Sequence, residues 1–596
     1  MTRSSFTSWL YHVCVISAIG GLSLVVHQVP YLLSSKPYSI GADGDSAFHL
    51  ALQMKLRDPT LFPKDIELNE MYLSSRPASE FAIHRTVVWV ADHVFGRDLF
   101  AANTVVSWGN HLLFLAGCYC LGVYVLRSRG GAALFAAASV GLSQAFNAWW
   151  GMAPGAVIPK YVGLTLVPWF LLGYLCWSQR PRRVIILFFL LGLAVNVYPL
   201  LPLYLALLLL AVTCSRSRPP WGSCLTMGMA FLAGALPSVL VSAIGAFRKA
   251  GMLDAQALAI YEALLVRYYG YALLNPRYAA ASLVSPVGFL LVVGGEGLLL
   301  WRRQADLDGK ERRFFLRLNV WMAALGLLAT AASLGHRIRF VLAHSLLVGG
   351  CVIWFLLQAA RSGLVAKWLK VDLRGVGRQL VLFAVWTMVL SLFGLVGGAI
   401  WRPLLMFLFH RASAFLYIPG YLGCAWLVTY WAKQRSVTGL MIGAGIGSLM
   451  LLNGMMNTAL FYDVRGERVA QTAMPYYALA DWAAQDTASD SLFMVPYGPG
   501  HDTFYAFRVY SARAVLLQWA TGEIVLSNPQ IASEFWQMSS GVAPLYEQAS
   551  QTSDFLRVAH RYRADYIITD QATPCLPALP VAYRNEAYTV FVVPPE

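Results

Sequence analysis

Long apolar stretches recur along this chain from Trp9 to Ala459 and then stop, and this pattern restricts the fold more than any other feature. A helix needs about 20 apolar residues to cross the hydrocarbon core of a bilayer. Hydrophobic residues make up 58% of the chain and charged residues only 13%, which differs strongly from a soluble domain. The clear candidate spans are residues 9–27, 100–126, 131–148, 161–178, 224–246, 281–301, 318–334, 341–360, 380–400, 413–432 and 437–459.

Residues 184–214 form an apolar stretch that is too long for a single crossing. The sequence from Asn196 to Pro199 interrupts it, and arginines lie at both of its ends. Because both basic clusters belong on the same side of the membrane, we expect two short helices that meet at the interruption. With this hairpin, residues 1–460 are predicted to form a polytopic α-helical membrane domain of about thirteen transmembrane helices.

The charges of the chain follow the predicted loops. The net charge is +15, from 45 Lys and Arg against 30 Asp and Glu, and the basic residues concentrate in short loops on one side of the spans. The positive-inside rule makes those loops cytoplasmic, which places the N-terminus in the cytoplasm and residues 461–596 outside. We therefore expect a multi-pass membrane protein in contact with membrane lipid, and no nucleic-acid partner.

The predicted outer side receives a first loop at residues 28–99, a tyrosine-rich amphipathic segment at 247–278 and the C-terminal part. The spacing of apolar residues in the first loop predicts helices at 45–57 and 78–95. The segment at 247–278 is expected to lie along the membrane interface. Residues 461–596 are predicted to form a soluble α/β domain. Its expected strands are 492–496, 514–517, 566–569 and 589–593, and its expected helices are 477–486 and 552–563.

The first loop begins with two acidic residues on a glycine-containing turn, Asp43 and Asp45. Two carboxylates in this arrangement face one divalent cation such as Mg or Mn, which prefers oxygen ligands, or serve as a base and its orienting partner. The alternative is structural, with Asp43 as a turn residue and Asp45 as the N-cap of the following helix.

A short predicted external turn at residues 335–340 carries His336, Arg337 and Arg339. Outward-facing arginines run against the positive-inside bias, and the guanidinium group matches phosphate oxygens in two-point geometry. In the alternative interpretations these arginines reach toward anionic headgroups, or an error in topology makes the turn cytoplasmic.

Three further residues are candidates for substrate contact. Glu80 and His84 stand one helical turn apart and share a face, where they supply a ligand or a proton carrier or form an ordinary solvated surface. Tyr198 lies at the interruption of residues 184–214, where it lines a substrate cavity or caps the broken helices.

The chain resembles the GT-C superfamily of polyprenyl-phosphate-sugar-dependent membrane glycosyltransferases. The resemblance rests on the first helix, the long external loop that opens with Asp43 and Asp45, the number of spans and the C-terminal α/β part. Residues 58–65 and 507–513 are also similar to segments of uncharacterised bacterial GT-C-like proteins. The acidic acceptor motif of oligosaccharyltransferases is absent, because Trp149-Trp150-Gly151 lacks the acid, so oligosaccharide transfer to asparagine is not expected.

The resemblance implies transfer of a sugar from a polyprenyl-phosphate-linked donor to an envelope glycan, lipid or protein on the outer face. In the family, an acidic residue of the first external loop acts at the acceptor as base or metal ligand, and this role maps to Asp43 or Asp45. Arg337 and Arg339 would then hold the donor phosphate. The alternatives are a transporter or flippase of a lipid-linked envelope precursor, and a non-catalytic envelope assembly protein.

Overall fold

The computed structural model of the chain describes residues 3–33, 44–73, 81–145, 148–153, 155, 157–217, 221–249, 255–269, 288–290, 376–434, 436–470, 473–497, 504, 506–518, 529–547, 550–570 and 576–595. Helices in the first part are α1 (Arg3–Leu33), α2 (Gly44–Arg57), a π-helix (Glu67–Leu73), α3 (Ala82–Val94), α4 (Leu99–Leu126), α5 (Arg129–Ala138), α6 (Pro159–Trp177), α7 (Pro181–Val195), α8 (Leu200–Ser217), α9 (Trp221–Lys249) and α10 (Ala255–Tyr269). After residue 375 follow α11 (Val376–Ile400), 3₁₀ helices (Arg402–Phe407, Phe409–Leu416), α12 (Tyr417–Lys433), α13 (Val437–Ala470), α14 (Ala473–Asp486), α15 (Phe507–Ser511), α16 (Pro529–Glu547) and α17 (Thr552–Tyr562).

Six helical segments among these residues are long and apolar enough to cross a membrane. They agree with predicted spans, which the lengths of the apolar runs had located, and they fit a multi-pass membrane protein. Predicted spans 318–334 and 341–360 lie outside the described residues, as does nearly all of 281–301, so the total of thirteen stays a prediction. The six segments are Leu10–His27, Leu99–Leu126, Trp221–Leu240, Val376–Ile400, Phe409–Lys433 and Val437–Met455.

The stretch 184–214 is two helices, α7 and α8, that meet at the predicted interruption. Asn196 at this bend joins the hairpin to α9. Its amide Nδ2 donates to the carbonyl of Gly234 (3.0 Å), and its Oδ1 accepts from the backbone N–H of Ser238 (3.0 Å). The side chain thus replaces a hydrogen bond within α9 beside Pro237, where the helix ladder is already broken.

Glycines let α7 and α9 approach closely. A Cβ added to Gly234 of α9 would stand 2.2 Å from the carbonyl oxygen of Phe189, whereas one added to Gly228 of the same helix would meet nothing within 4 Å. Small residues of this kind allow membrane helices to pack backbone to backbone.

We therefore expect Gly234→Ala to lower the free energy of unfolding by about 1 to 3 kcal/mol, since overpacking forces the backbones apart. Gly228→Ala is the matched control and should leave stability unchanged or slightly raised, because alanine favours helix. Thermal unfolding of the purified protein in detergent tests both variants. Equal melting temperatures for the two would contradict the close packing of α7 and α9.

The predicted helix at 131–148 is wrong in its extent. Helix α5 ends at Ala138, and the chain continues through β1 (Ser143–Ala145) and β2 (Ala148–Trp150), which pair antiparallel. The segment from Arg129 to Val157 nevertheless runs back along α4. It begins next to the C-terminal end of α4, and the Val157 N–H donates to Asn103 near the N-terminal end of that helix. The ten residues of α5 cover only about 15 Å, and the rest of the crossing is non-helical.

Non-helical backbone at membrane depth needs protein around it, and the β1–β2 region has such cover. Trp150 is fully buried and donates from Nε1 to Ser139, while the Leu142 N–H donates to Thr458 of α13. A Cβ on Gly141 would stand 2.3 Å from the backbone of Gly454. Contact with α13 thus accounts for the chain leaving the helical path after Ala138.

Two main hydrophobic cores organise the described residues. One lies among the predicted membrane helices, from α1 through α13. The other combines the first loop, α10 and the C-terminal part, with Phe48, Leu68, Leu264, Met494 and Phe535 all buried in it. The first loop and the C-terminal part therefore fold as one packed layer. The buried face of α10 packs against protein. The location of residues 247–278 along the membrane interface stays a prediction.

The strands of the C-terminal part are β3 (Leu492–Met494), β4 (Ala514–Val515), β5 (Tyr566–Asp570), β6 (Val581–Arg584) and β7 (Tyr588–Val592). They form a five-stranded mixed sheet in the order β4-β3-β5-β7-β6. The four strands expected from the sequence are present, and a further strand, β6, lies at one edge. Helix α13 runs through residues 460 and 461 without a break, so the predicted domain boundary falls within a helix.

Candidate functional site

The candidate site is built around the start of α2. Helix α2 begins at Gly44 and ends at Arg57, before Asp58 and Pro59, as the sequence predicted. Asp45 lies in its first turn, where the partial positive charge of the helix terminus favours a carboxylate. Asp43 lies outside the described residues. Helical periodicity places positions 45, 49 and 53 on one face of α2.

His49 and His84 join α2 to α3 on this face. Their rings stack with centroids 4.9 Å apart and an interplanar angle of 18°. His84 is fully buried. One of the two interpretations of the Glu80 and His84 pair had placed both side chains on a solvated helix surface. The solvated-surface interpretation is therefore wrong for His84. Glu80 lies outside the described residues, and its relation to His84 stays a prediction.

A chain of hydrogen bonds fixes which nitrogen of His84 carries the proton. The Val157 backbone N–H donates to Asn103 Oδ1 (3.0 Å), and Asn103 Nδ2 donates to the Leu99 carbonyl (2.8 Å), so the Asn103 amide has one orientation. Asn103 Nδ2 also donates to Gln53 Oε1 (2.5 Å), which leaves Gln53 Nε2 to donate to His84 Nδ1 (3.3 Å). His84 is therefore the Nε2–H tautomer.

The Nε2–H group of His84 has no hydrogen-bond partner among the described residues. A buried donor without an acceptor costs about 1 to 3 kcal/mol. Burial, and then the neighbouring His49, lower the pKa of His84 well below its usual value, so the ring is a neutral donor. In this tautomer Nδ1 accepts from Gln53 and Nε2 carries the hydrogen, so His84 is a hydrogen-bond donor at Nε2.

The lowered pKa makes a prediction about pH. A histidine whose pKa is lower in the folded state binds a proton more readily when the protein is unfolded. The contribution of such a histidine to the free energy of unfolding is therefore complete above about pH 6.5 and is lost as the pH falls. We expect wild-type stability to fall more than that of His84→Gln between pH 7.5 and 5.5. Melting temperatures of both proteins across this range provide the measurement, and parallel profiles would show that His84 is not held neutral.

A buried ion cluster on the segment that follows α2 was not predicted. Arg508 of α15 is fully buried and donates from Nε to Asp65 Oδ2 (2.6 Å), from Nη2 to Asp65 Oδ1 (3.1 Å) and from Nη2 to Glu67 Oε2 (2.5 Å). Its Nη1 donates to Gln518 Oε1 (2.5 Å). Burial lowers the pKa of Arg508, but the two carboxylates raise it by more, so Arg508 stays charged.

The cluster joins the two short segments, 58–65 and 507–513, that carried part of the family resemblance. These segments are far apart in the chain: Asp65 and Arg508 are separated by 443 positions. The only sequence signal was Arg508 between the apolar residues Phe507 and Val509, since Asp65 follows the charged Lys64. Helix α15 also reaches α2 directly, because Ala47 and Ala506 are buried against each other, with Tyr510 packed beside them.

The remaining predicted site residues lie elsewhere. Tyr198 lies at the α7–α8 bend, where a Cβ on Gly163 of α6 would stand 3.3 Å from its ring, so it packs between helices there. His336, Arg337 and Arg339 are outside the described residues. In the described part of the chain, no group of three or more His, Cys, Asp or Glu side chains is placed to hold a metal ion.

The solved structures that are similar to this chain include the following three. The crystal structure of the Archaeoglobus fulgidus oligosaccharyltransferase, tethered with an acceptor peptide containing the NVT sequon, shares 13% identity at a TM-score of 0.45 over 94% of this chain and 69% of that one. ArnT from Cupriavidus metallidurans in the apo state shares 13% identity at a TM-score of 0.42, and the same protein bound to undecaprenyl phosphate shares 14% identity at a TM-score of 0.39. Each comparison covers 98% of both chains. No protein-family model and no curated protein matches the sequence.

Oligosaccharyltransferase and ArnT are both GT-C glycosyltransferases, the superfamily to which the sequence resemblance points. With identities of 13% to 14% and TM-scores below 0.5, these similarities are too distant to assign an activity. The function of this chain is therefore argued from its own residues.

Proposed function

We propose that this chain is a glycosyltransferase of the bacterial inner membrane. It moves a sugar from a polyprenyl-phosphate-linked donor to an envelope glycan, lipid or protein on the outer face, with its N-terminus in the cytoplasm and residues 461–596 outside. The observation that carries the proposal is the acidic first turn of α2, which lies one helical turn before His49, whose ring stacks on buried His84. The His84 Nε2–H group has no acceptor among the described residues.

This arrangement suits transfer to a hydroxyl group. A carboxylate in the first turn of α2 would accept the proton of an attacking hydroxyl, or would hold a Mg or Mn ion that lowers the pKa of that hydroxyl. These are the roles proposed for Asp45 and Asp43. A neutral donor contacts a sugar or phosphate oxygen without adding charge. Because His84 Nε2 is buried, such a contact requires neighbouring side chains to move. We assign this role to His84.

The donor phosphate is assigned to Arg337 and Arg339, with His336 beside them. A leaving phosphate gains most from preorganised positive charge, and the guanidinium fork contacts two of its oxygens at once. Glu80 and Tyr198 remain proposed substrate contacts on sequence grounds alone.

Reconstitution in vesicles tests the proposal against its alternatives. The purified protein is supplied with undecaprenyl-phosphate-linked monosaccharides that carry a labelled sugar and with envelope extract, and the label should move from lipid to extract. Transbilayer movement of a fluorescent undecaprenyl-phosphate lipid without sugar transfer would support a flippase instead. If the protein shows neither sugar transfer nor lipid movement, the remaining alternative is a non-catalytic role in envelope assembly. A phosphatase fused after residue 596 tests the orientation, because it is active only outside the cytoplasm.

A further inference from the structure

We infer that Arg508 is a positioning residue for the acidic turn, so that the C-terminal part of the chain completes the site formed by the first loop. The inference rests on the proposed function, because it assigns Arg508 an effect on catalysis through α2. It also makes a statement about the rigidity of α2 that is independent of activity.

Arg508 fixes the segment that follows α2. Three of its nitrogens are used by Asp65, Glu67 and Gln518, and both carboxylates accept backbone N–H groups as well. Asp65 accepts from Leu68 (2.9 Å) and Val515 (3.2 Å), and Glu67 accepts from Gln518 (2.9 Å). Buried networks in which every member is bonded are rigid and tolerate little change of geometry. The first loop is therefore held against β4 and α15 at one defined position.

The end of α2 is tied to this fixed segment. Lys55 in the last turn donates from Nζ to the carbonyls of Pro59 (2.8 Å) and Leu61 (2.6 Å), which closes the turn between α2 and Asp65. Lys64 adds a second link to the C-terminal part through Asp565 (3.0 Å). That pair is partly exposed and contributes little by itself. Movement of Asp65 would thus be transmitted to the C-terminal end of α2.

The start of α2 is held by α15, which carries Arg508, together with Ala506, the residue just before that helix. Ala47, two residues after Asp45, packs against Ala506, two residues before Arg508, and Tyr510 lies beside this contact. Helix α15 therefore contacts α2 next to its acidic turn and anchors the segment after its end. Two attachments to one short helix define both the position and the direction of α2.

Arg513 provides a matched control for Arg508. It is also a buried arginine, five positions further along, but it donates to the carbonyls of Ala484 (2.7 Å) and Thr487 (2.7 Å) and to the Thr487 hydroxyl (3.0 Å). All of these lie in the C-terminal part. Arg513→Lys therefore perturbs that part without removing a contact to the first loop, and lysine in either place keeps the charge but loses the planar fork.

Hydrogen exchange of the full-length protein in lipid nanodiscs tests the inference. Arg508→Lys should speed amide exchange about tenfold in peptides covering residues 44–57 and 58–73. Arg513→Lys should affect peptides of residues 473–518 alone. In the transfer assay, Arg508→Lys should lower kcat on the order of 10- to 100-fold with KM nearly unchanged, because a displaced α2 misaligns the reacting groups. Arg513→Lys should retain kcat.

A second variant covers the case in which Arg508→Lys does not fold. Glu67→Gln keeps an oxygen for the Gln518 N–H and leaves the two-point bond between Arg508 and Asp65 in place, so it should show the same changes at smaller size. Equal exchange of residues 44–73 in the wild type and in both variants would overturn the inference. If the wild type transfers no sugar, the proposed function fails, and exchange alone then decides whether Arg508 positions α2.

Discussion

Asp45→Asn is expected to abolish sugar transfer and to leave the amount of folded protein unchanged. Asparagine has nearly the same size as aspartate and is equally compatible with the start of a helix. It lacks the negative charge that accepts a proton or holds a cation, and general-base catalysis contributes about 100- to 10,000-fold. The transfer rate of the reconstituted variant, compared at equal protein and equal melting temperature, measures the effect.

The controls for this variant lie in the same loop. Asp58→Asn changes an exposed aspartate whose Oδ1 accepts from the Thr60 N–H (2.9 Å) in the turn after α2, and transfer should persist. Asp43→Asn and the double variant show whether one carboxylate or both are needed. Chelation by EDTA separates the two roles, since it stops a cation-dependent reaction and spares a base. Wild-type rates in Asp43→Asn, Asp45→Asn and the double variant would remove both residues from the mechanism.

The sequence predicted the elements that depend on local pattern. Length and apolarity located α1, α4, α9, α11 and α13, because a spanning helix has a minimum length whatever surrounds it. The bend at Asn196 followed from a break between two basic clusters, and the end of α2 followed from Asp58 and Pro59. Four strands of the C-terminal sheet were also found from short β-type runs.

Elements that depend on distant parts of the chain could not be predicted in this way. The early end of α5 reflects the contact of Gly141 with Gly454, which only the folded chain reveals. The proton position on His84 depends on Asn103 and on the backbone of Val157. Asp43 and Asp45 were noticed because they are only two positions apart in sequence, whereas Asp65 and Arg508 have no local pattern in common.

Arg508→Met is expected to lower the free energy of unfolding by about 3 to 5 kcal/mol, the usual cost of removing one partner from a buried ion pair. Methionine fills much of the arginine volume, so the main loss is electrostatic. Asp65 and Glu67 would remain fully buried with two negative charges and no cation between them. Denaturant unfolding of the purified protein in micelles gives the difference from wild type.

The triple variant Arg508→Met, Asp65→Asn, Glu67→Gln separates this electrostatic loss from packing. It removes every charge of the cluster while Asn and Gln retain oxygens for the backbone N–H groups of Leu68, Val515 and Gln518. Replacing a whole buried ion cluster by neutral groups is often close to neutral, so the triple variant should be more stable than Arg508→Met alone. Residues that act as one network give non-additive changes of this kind. If the triple variant loses at least as much free energy of unfolding as its three single variants together, Arg508 stabilises the fold through packing. The charge-based account of how the C-terminal part holds the first loop would then be wrong.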